Sequence, residues 1–188
     1  MIGDVINNLL ILTPTIIPVS ALFASVISWN KKYLIFILFF IISGILNGVE
    51  KYIIRNISYF KDLGKRPDQC GYKSNNICTG CGAFPSTTTG ESWGMPSGHS
   101  QSMAFATIYW IMYLYYTDKK IKTVDTRNRL IVGSILMILL SLFVMIQRIH
   151  SKCHSLLQVI VGSIFGIIYG IISYILSNKI SNIDFPMN

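Results

Sequence analysis

Five apolar segments separated by polar turns make up most of this 188-residue chain. They span Val5–Ser28, Tyr33–Val49, Met103–Tyr116, Leu130–Ile146 and Leu156–Leu176. A helix needs about 20 apolar residues to cross a membrane. The third segment is shorter, but flanking tyrosines that suit a membrane interface extend it. With 52% hydrophobic and 13% charged residues, the chain is too apolar for an ordinary soluble domain. The pattern predicts an all-α, polytopic transmembrane bundle of five to six helices, formed by residues 1–188 as one domain.

The positive charges predict how these segments are oriented. Lys31-Lys32 follows the first segment, and the loop from Asp118 to Arg129 is rich in lysine and arginine, so both turns are expected on the cytoplasmic side. Five spans then place the Glu50–Pro96 loop and the turn from Arg148 to His154 together on the luminal or extracytoplasmic side. The Glu50–Pro96 loop is also basic, which an anionic substrate would explain. We therefore attribute the net charge of +8 to a membrane lipid partner rather than to nucleic acid.

Three short motifs fall on that common face. Pro96-Ser97-Gly98-His99 opens the third segment; a hydroxyl and free N–H groups at a helix start bind anions, and a histidine transfers protons near neutral pH. Arg148 can bind phosphate through two N–H groups, and the imidazole of His154 can attack phosphorus. Lys65-Arg66-Pro67 adds two cations. Taken singly, the motifs also fit a Ser-capped helix start, interfacial side chains and a solvated basic turn.

Together the three motifs resemble the signature of the type 2 phosphatidic acid phosphatase family, over roughly Asn47 to Gly166. The resemblance implies that His154 is the nucleophile, and that His99 protonates the leaving oxygen and then activates water. It also implies a set of groups that hold the phosphoryl oxygens: Lys65, Arg66, Ser97, Gly98 and Arg148. The scheme requires no metal ion and no other cofactor.

The first motif departs from the family pattern. Where the family usually has a lysine ahead of Arg-Pro, this chain has Tyr59. Arg55, Lys61 and Lys65 are the candidates for that cation, and the sequence leaves the choice open. Family members usually have six core helices, so the sixth could be a short helix inside Glu50–Tyr59. The stretch Asp68–Gly94 is predicted to be an irregular loop.

A second departure narrows the expected substrate. The family usually has an acidic residue one helical turn after the nucleophile, and this chain has Gln158, whose oxygen can still accept the imidazole N–H. The dolichyl diphosphatase subgroup is similar in having glutamine there and in the residues around Pro-Ser-x-His, here Gly94-Met95 and Ser100-Gln101. The resemblance implies hydrolysis of a polyprenyl, dolichyl-type diphosphate to the monophosphate and inorganic phosphate through a phosphohistidine, in the endoplasmic reticulum membrane if the protein is eukaryotic. Undecaprenyl diphosphate, phosphatidate or another phospholipid monoester are alternative substrates, and an inactive lipid-binding scaffold is the alternative of another class.

The remaining candidate residues are cysteines and a third histidine. All four cysteines fall on the predicted active face: Cys70, Cys78, Cys81 and Cys153. On a luminal face, one or two disulfides are the first expectation, and a zinc site of four thiolates or free thiols are the alternatives. His150 is expected to be an interfacial side chain, with assistance to His154 as the other option.

Overall fold

The computed structural model describes residues 2–57, 59, 62–67, 72–74, 77–79, 81, 86–87 and 93–181. Five helices form its body: α1 (Ile2–Ser28), α2 (Lys31–Asn56), α3 (Gly98–Ile121), α4 (Val124–His150) and α5 (Leu156–Ser181). Each of the five apolar segments lies within one helix, which confirms the predicted helical bundle.

Short capped turns separate the helices. The side chain of Asn30 accepts a hydrogen bond from the backbone N–H of Lys32 at the start of α2. Thr123 and Thr126 form a reciprocal capping box at the start of α4. These side chains satisfy N–H groups that have no partner within the helix, so the sequence encodes where each helix begins.

The connection between α2 and α3 differs from the expectation in two ways. The described residues of Glu50–Tyr59 form no separate sixth helix, because α2 continues without interruption to Asn56. The loop therefore starts at Ile57 rather than at Glu50. Part of it forms a small antiparallel sheet of β1 (Tyr72–Ser74), β2 (Ile77–Thr79) and β3 (Ser86–Thr87), in that order. Strands of two or three residues are too short to show an alternating pattern, so the sequence does not reveal them.

Four helices are long and apolar enough to cross a membrane: Val5–Ser28, Lys31–Asn56, Val124–His150 and Leu156–Ile180. The remaining helix, α3, is less apolar and lies inside the bundle, where Met103, Phe105 and Ala106 are fully buried. Because the other helices separate this part of α3 from lipid, its surface need not be apolar on every side. The protein is a multi-pass integral membrane protein.

Three glycines of α5 bring this helix close to α3. A Cβ atom at any of them would fall within 3 Å of a carbonyl oxygen of α3. The facing pairs are Gly162 and Ser97, Gly166 and Gln101, and Gly170 and Phe105. Small residues at this spacing allow close backbone contact between membrane helices, and here the contact holds the start of α3 against α5.

Candidate active site

The two histidine motifs lie at the same end of the bundle. The backbone N–H of Ser97, before α3, donates to the carbonyl oxygen of Gln158 in α5 at 3.0 Å. His99 Nε2 lies 3.4 Å from Nη1 of Arg148, near the end of α4. Because these contacts join three helix ends, the prediction that the motifs share one face is confirmed.

His154 lies in the turn between α4 and α5 and is 3% exposed. Its Nδ1 is 3.2 Å from Oε1 of Gln158. An amide oxygen only accepts hydrogen bonds, so Nδ1 carries the proton and Nε2 keeps its lone pair. Burial lowers the pKa of His154 well below its ordinary value, and the positive charges of Arg66 and Lys51 lower it further. In the neutral imidazole of His154, the free lone pair is therefore on Nε2.

Gln158 connects His154 to the loop before Arg66. Its Nε2 donates to the carbonyl oxygens of Leu63 at 3.1 Å and Lys65 at 2.7 Å. The side chain is fully buried, and a Cβ at Gly94 would overlap it. A carboxylate could not donate to these two carbonyls. Glutamine therefore makes contacts here that the family's usual acidic residue cannot make.

Arg148 is fully buried and held on two sides. Its Nε donates to Oε1 of Gln147 at 2.6 Å, and its Nη1 donates to the carbonyl oxygen of Cys81 at 2.9 Å. Gln147 in turn donates from Nε2 to Oδ1 of Asn7 in α1 at 2.6 Å. The position of the guanidinium is thus fixed by α1, α4 and the loop before α3.

A disulfide joins Cys81 of that loop to Cys153, the residue before His154. It confirms the first expectation for these two cysteines and excludes the zinc site of four thiolates, because their sulfurs are bonded to each other. Cys70 lies outside the described residues, and only the backbone of Cys78 is described. The disulfide anchors the carbonyl of Cys81 next to Arg148.

Ser97 and Gly98 lie at the start of α3. Ser97 is the N-cap of α3, which is the structural alternative to anion binding given above for this serine. Its Oγ accepts a hydrogen bond from Oγ of Ser100 at 3.0 Å. A Cβ at Gly98 would lie 3.1 Å from Oδ1 of Asn47 and 3.8 Å from Nζ of Lys51. Gly98 therefore lets α2 approach the start of α3 closely.

The candidate cations of the first motif have different surroundings. Lys65 Nζ pairs with the exposed carboxylate of Asp62 at 3.5 Å, and the guanidinium of Arg55 lies over the ring of Trp93 at 5.9 Å. Lys61 lies outside the described residues. Arg66 packs beside Gly94, and its charge acts on His154.

Lys51 is the functional candidate that the sequence did not reveal. Its ammonium lies beside Gly98, and its charge also acts on His154. Within the part of the chain that the structure describes, no carboxylate forms an ion pair with it. A usable signal was present, because Lys51 follows the buried Asn47 by one helical turn and so lies on the same face of α2.

The first helix also reaches the site. His99 Nε2 is 3.0 Å from the carbonyl oxygen of Ile11. A carbonyl oxygen only accepts, so Nε2 carries the proton and donates it to this oxygen. The longer contact to Arg148 is then a contact between two donors rather than a hydrogen bond.

The sequence profile of the PAP2 superfamily matches residues 32–181. The chain belongs to the PAP2 superfamily. No curated protein and no solved structure matches the chain significantly. Members of this superfamily are phosphatases, and the matched range includes both histidine motifs and Lys51. Asn7 and Ile11 precede that range, so α1 adds contacts from outside the matched region.

For a PAP2 superfamily phosphatase, the chemical capacity of the site follows from its charges. Several polar groups surround the start of α3. They are the imidazole of His154, the N–H group of His99 and the cations Lys51, Arg66 and Arg148. Across the described ranges, no three His, Cys, Asp or Glu side chains gather into a group that could hold a metal ion. His150 is exposed, whereas His154 and Arg148 are buried.

Proposed function

We propose that this PAP2 protein hydrolyses a polyprenyl diphosphate of the dolichyl type to the monophosphate and inorganic phosphate. The observation that carries the proposal is the buried, neutral His154, whose Nδ1 is bound to Gln158. That bond leaves Nε2 as the nucleophile. Nucleophilic catalysis by such a group divides one difficult hydrolysis into two easier steps.

In the first step, Nε2 of His154 attacks the terminal phosphorus of the diphosphate. The bond from that phosphorus to the bridging oxygen breaks. His99 becomes an imidazolium when the negatively charged diphosphate binds; it gives the proton on Nδ1 to the bridging oxygen and keeps the Nε2–H that is bound to Ile11. Polyprenyl monophosphate leaves, and the phosphoryl group remains on His154. The proton that His154 holds on Nδ1 stays bound to Gln158, which stabilises the charge that develops on the ring.

In the second step, water attacks the phosphohistidine. His99 takes a proton from this water, and the bond from phosphorus to Nε2 of His154 breaks. Inorganic phosphate is released and both histidines return to their starting states. One histidine therefore acts as the nucleophile throughout, and the other moves the proton in both steps.

Cations of the chain offset the charge of the transferred phosphoryl group. Arg148 is held rigidly by Gln147 and Cys81, and fixed donors of this kind stabilise a transition state at little reorganisation cost. Lys51, rather than Lys65, serves as the lysine of the first motif, beside Gly98. With Arg66, these groups supply the positive charge that a metal ion supplies in other phosphatases, so we propose that no metal or other cofactor is needed.

The choice of a polyprenyl diphosphate rests on residues that resemble the dolichyl diphosphatases, and two of them, Gly94 and Gln158, contact each other. Gly94 leaves room for the amide of Gln158. Gln101 accepts a hydrogen bond from Asn47 at 2.7 Å and donates to the carbonyl of Ser43 at 3.0 Å. Gln158 thus orients His154, and Gln101 holds the start of α3, which carries His99, against α2.

We also propose that the active-site end faces the lumen or the extracytoplasmic space. The Cys81–Cys153 disulfide supports this orientation, because disulfides persist in oxidising compartments and are rare in the cytosol. Labelling with a membrane-impermeant reagent tests it. A cysteine introduced at the exposed His150 should react only from the luminal side of sealed vesicles, and reaction from the cytosolic side alone would contradict the orientation.

Trapping the intermediate tests the reaction. Substrate labelled at the terminal phosphate is mixed with the protein and quenched rapidly, and acid-labile, base-stable label should appear on the peptide that contains His154. His154→Ala should abolish both the label and phosphate release. His150→Ala is the matched control, since it removes an exposed histidine near the same turn and should retain both. Equal release by the His154→Ala protein and its parent would disprove the assignment.

A further inference from the structure

A cleft of about 880 Å³ runs between α1 and α4, with α3 as its floor. It includes Leu9 and Thr13 of α1, which flank Ile11, the residue whose carbonyl contacts His99. Above the cleft, the hydrogen bond between Asn7 and Gln147 joins α1 to α4. One end of the cleft is therefore next to the candidate active site.

The walls of the cleft are apolar although they contain hydroxyl groups. Thr13 Oγ1 donates to the carbonyl oxygen of Leu9 within α1, and Thr117 Oγ1 donates to that of Tyr113 within α3. Both hydroxyls are thus satisfied within their own helices and need no partner in the cleft. The far end is polar, where Asp125 pairs with Arg129 at 2.8 Å.

Small residues create the space. Ala21 and Ala24 of α1 and Gly133 of α4 line the cleft. A Cβ at Gly133 would lie 2.9 Å from Leu114 of α3. Gly133 thus lets α4 pack closely on α3, and the small side chains of Ala21 and Ala24 leave the space beside α1 unfilled.

The length of the cleft indicates what fills it. The cleft follows α1 from Leu9 to Ala24. This distance along the helix is 15 residues, or about 22 Å at 1.5 Å per residue. The hydrocarbon core of a bilayer is about 30 Å thick, so each leaflet contributes about 15 Å. An acyl chain of a phospholipid in the active-site leaflet ends near the midplane. The cleft continues beyond it, and a longer isoprenoid chain can follow it there.

We propose that this cleft binds the isoprenoid chain of the substrate and selects long chains over short ones. The inference rests on the proposed function and names the part of the protein that recognises the tail. Within a bilayer, a chain gains no hydrophobic energy by leaving lipid for protein. Selection must therefore come from the fit of the chain to the walls.

A chain-length series tests the proposal in phosphatidylcholine nanodiscs. Phosphate release is measured with farnesyl diphosphate, which has three isoprene units, and with an undecaprenyl-length diphosphate. The parent should prefer the long chain. Ala24→Trp, which fills the far end, should lower kcat/KM for the long chain by about tenfold, the effect of losing on the order of ten atomic contacts. It should leave the short chain unchanged.

Val26→Trp is the matched control, because Val26 is 63% exposed on the lipid-facing side of α1 and does not line the cleft. It should leave both substrates unchanged. Unchanged activity on farnesyl diphosphate also shows that a variant has folded. An equal loss on both substrates for Ala24→Trp, or no loss on the long one, would overturn the tail site.

A binding readout separates this proposal from the proposed reaction. The unaltered protein is irradiated with a polyprenyl monophosphate that carries a diazirine at its far end, and labelled peptides are identified by mass spectrometry. Labels on residues 20–24 and 126–133 support the tail site even if no diphosphate is hydrolysed, an outcome that would refute only the phosphatase assignment. Labels confined to the outer faces of α2 and α5 would refute the tail site.

Discussion

Gln158→Glu replaces a single amide nitrogen by oxygen, and we expect it to reduce both stability and activity. In the parent, this nitrogen donates to the carbonyl oxygens of Leu63 and Lys65 at 3.1 and 2.7 Å. A carboxylate has no N–H group, so both carbonyls would lose their donor and face a negative charge instead. The substitution therefore damages the link between α5 and the segment that carries Arg66.

The expected magnitude follows from these two contacts. A buried hydrogen bond contributes about 1 kcal/mol net, and a buried carbonyl left without a donor costs about 1–3 kcal/mol. Two such losses give a decrease of about 2–6 kcal/mol in the free energy of unfolding. Since single domains are stable by only about 5–15 kcal/mol, the change should be easy to measure. The new charge next to His154 offsets part of this cost only when that imidazole is protonated.

Thermal unfolding and phosphate release are measured for the parent, Gln158→Glu and Gln158→Met in one detergent. Gln158→Met is the control that removes the donors without adding charge. Both variants should melt below the parent, and the glutamate variant should be no more stable than the methionine variant. If Gln158→Glu melts at the parent temperature and turns over faster, the two carbonyl contacts contribute nothing, and glutamine is simply a weaker form of the family's acidic residue.

Three further predictions concern the charges and the loop. Lys51→Met should lower kcat/KM by about a hundredfold, as loss of a phosphate-stabilising group does, whereas Lys65→Met should change it little; the opposite order would return the first-motif role to Lys65. Because the pKa of His154 is held well below its ordinary value, the acidic decline of kcat/KM should lie below about pH 6.5. Lys51→Met should move this decline to higher pH, since removing a positive charge favours the imidazolium; a pH profile unchanged by the substitution would contradict the assigned electrostatics. Reducing the Cys81–Cys153 disulfide should lower kcat by about ten- to hundredfold through displaced catalytic groups, with thiol counting to verify the reduction and unchanged kcat as the contrary result.

Much of the architecture could be predicted because it depends on local patterns. Apolar length located the five helices, and counting the spans placed both histidine motifs at one end. The spacing of His154 and Gln158, one helical turn apart, anticipated their contact at 3.2 Å. These features need only the sequence within one helix or the number of helices.

Other features depend on which distant residues meet, and short motifs do not encode that. Ile11 contacts His99 across 88 residues, and Asn7 contacts Gln147 across 140. Lys51 escaped notice because the family spacing pointed to positions nearer Arg66 along the chain. The continuation of α2 to Asn56 places Lys51 on a helix rather than in the loop, and this brings its side chain to Gly98.

The glycine contact between α3 and α5 has a consequence for how the two helices align. The helices run in the same direction, and their facing positions recur every four residues, so a slide of four residues, about 6 Å, would again place glycine against two of the same carbonyls. Gly166 would then face Ser97, and Gly170 would face Gln101. At the third carbonyl, that of Phe105, Tyr174 would replace Gly170, and a Cβ at that place falls 2.8 Å from the oxygen. Steric fit therefore permits only the alignment in which all three glycines face their carbonyls. The bond from the Ser97 N–H to the carbonyl of Gln158 forms in this alignment, so the three glycines that set it also bring the residue whose side chain orients His154 against the start of α3.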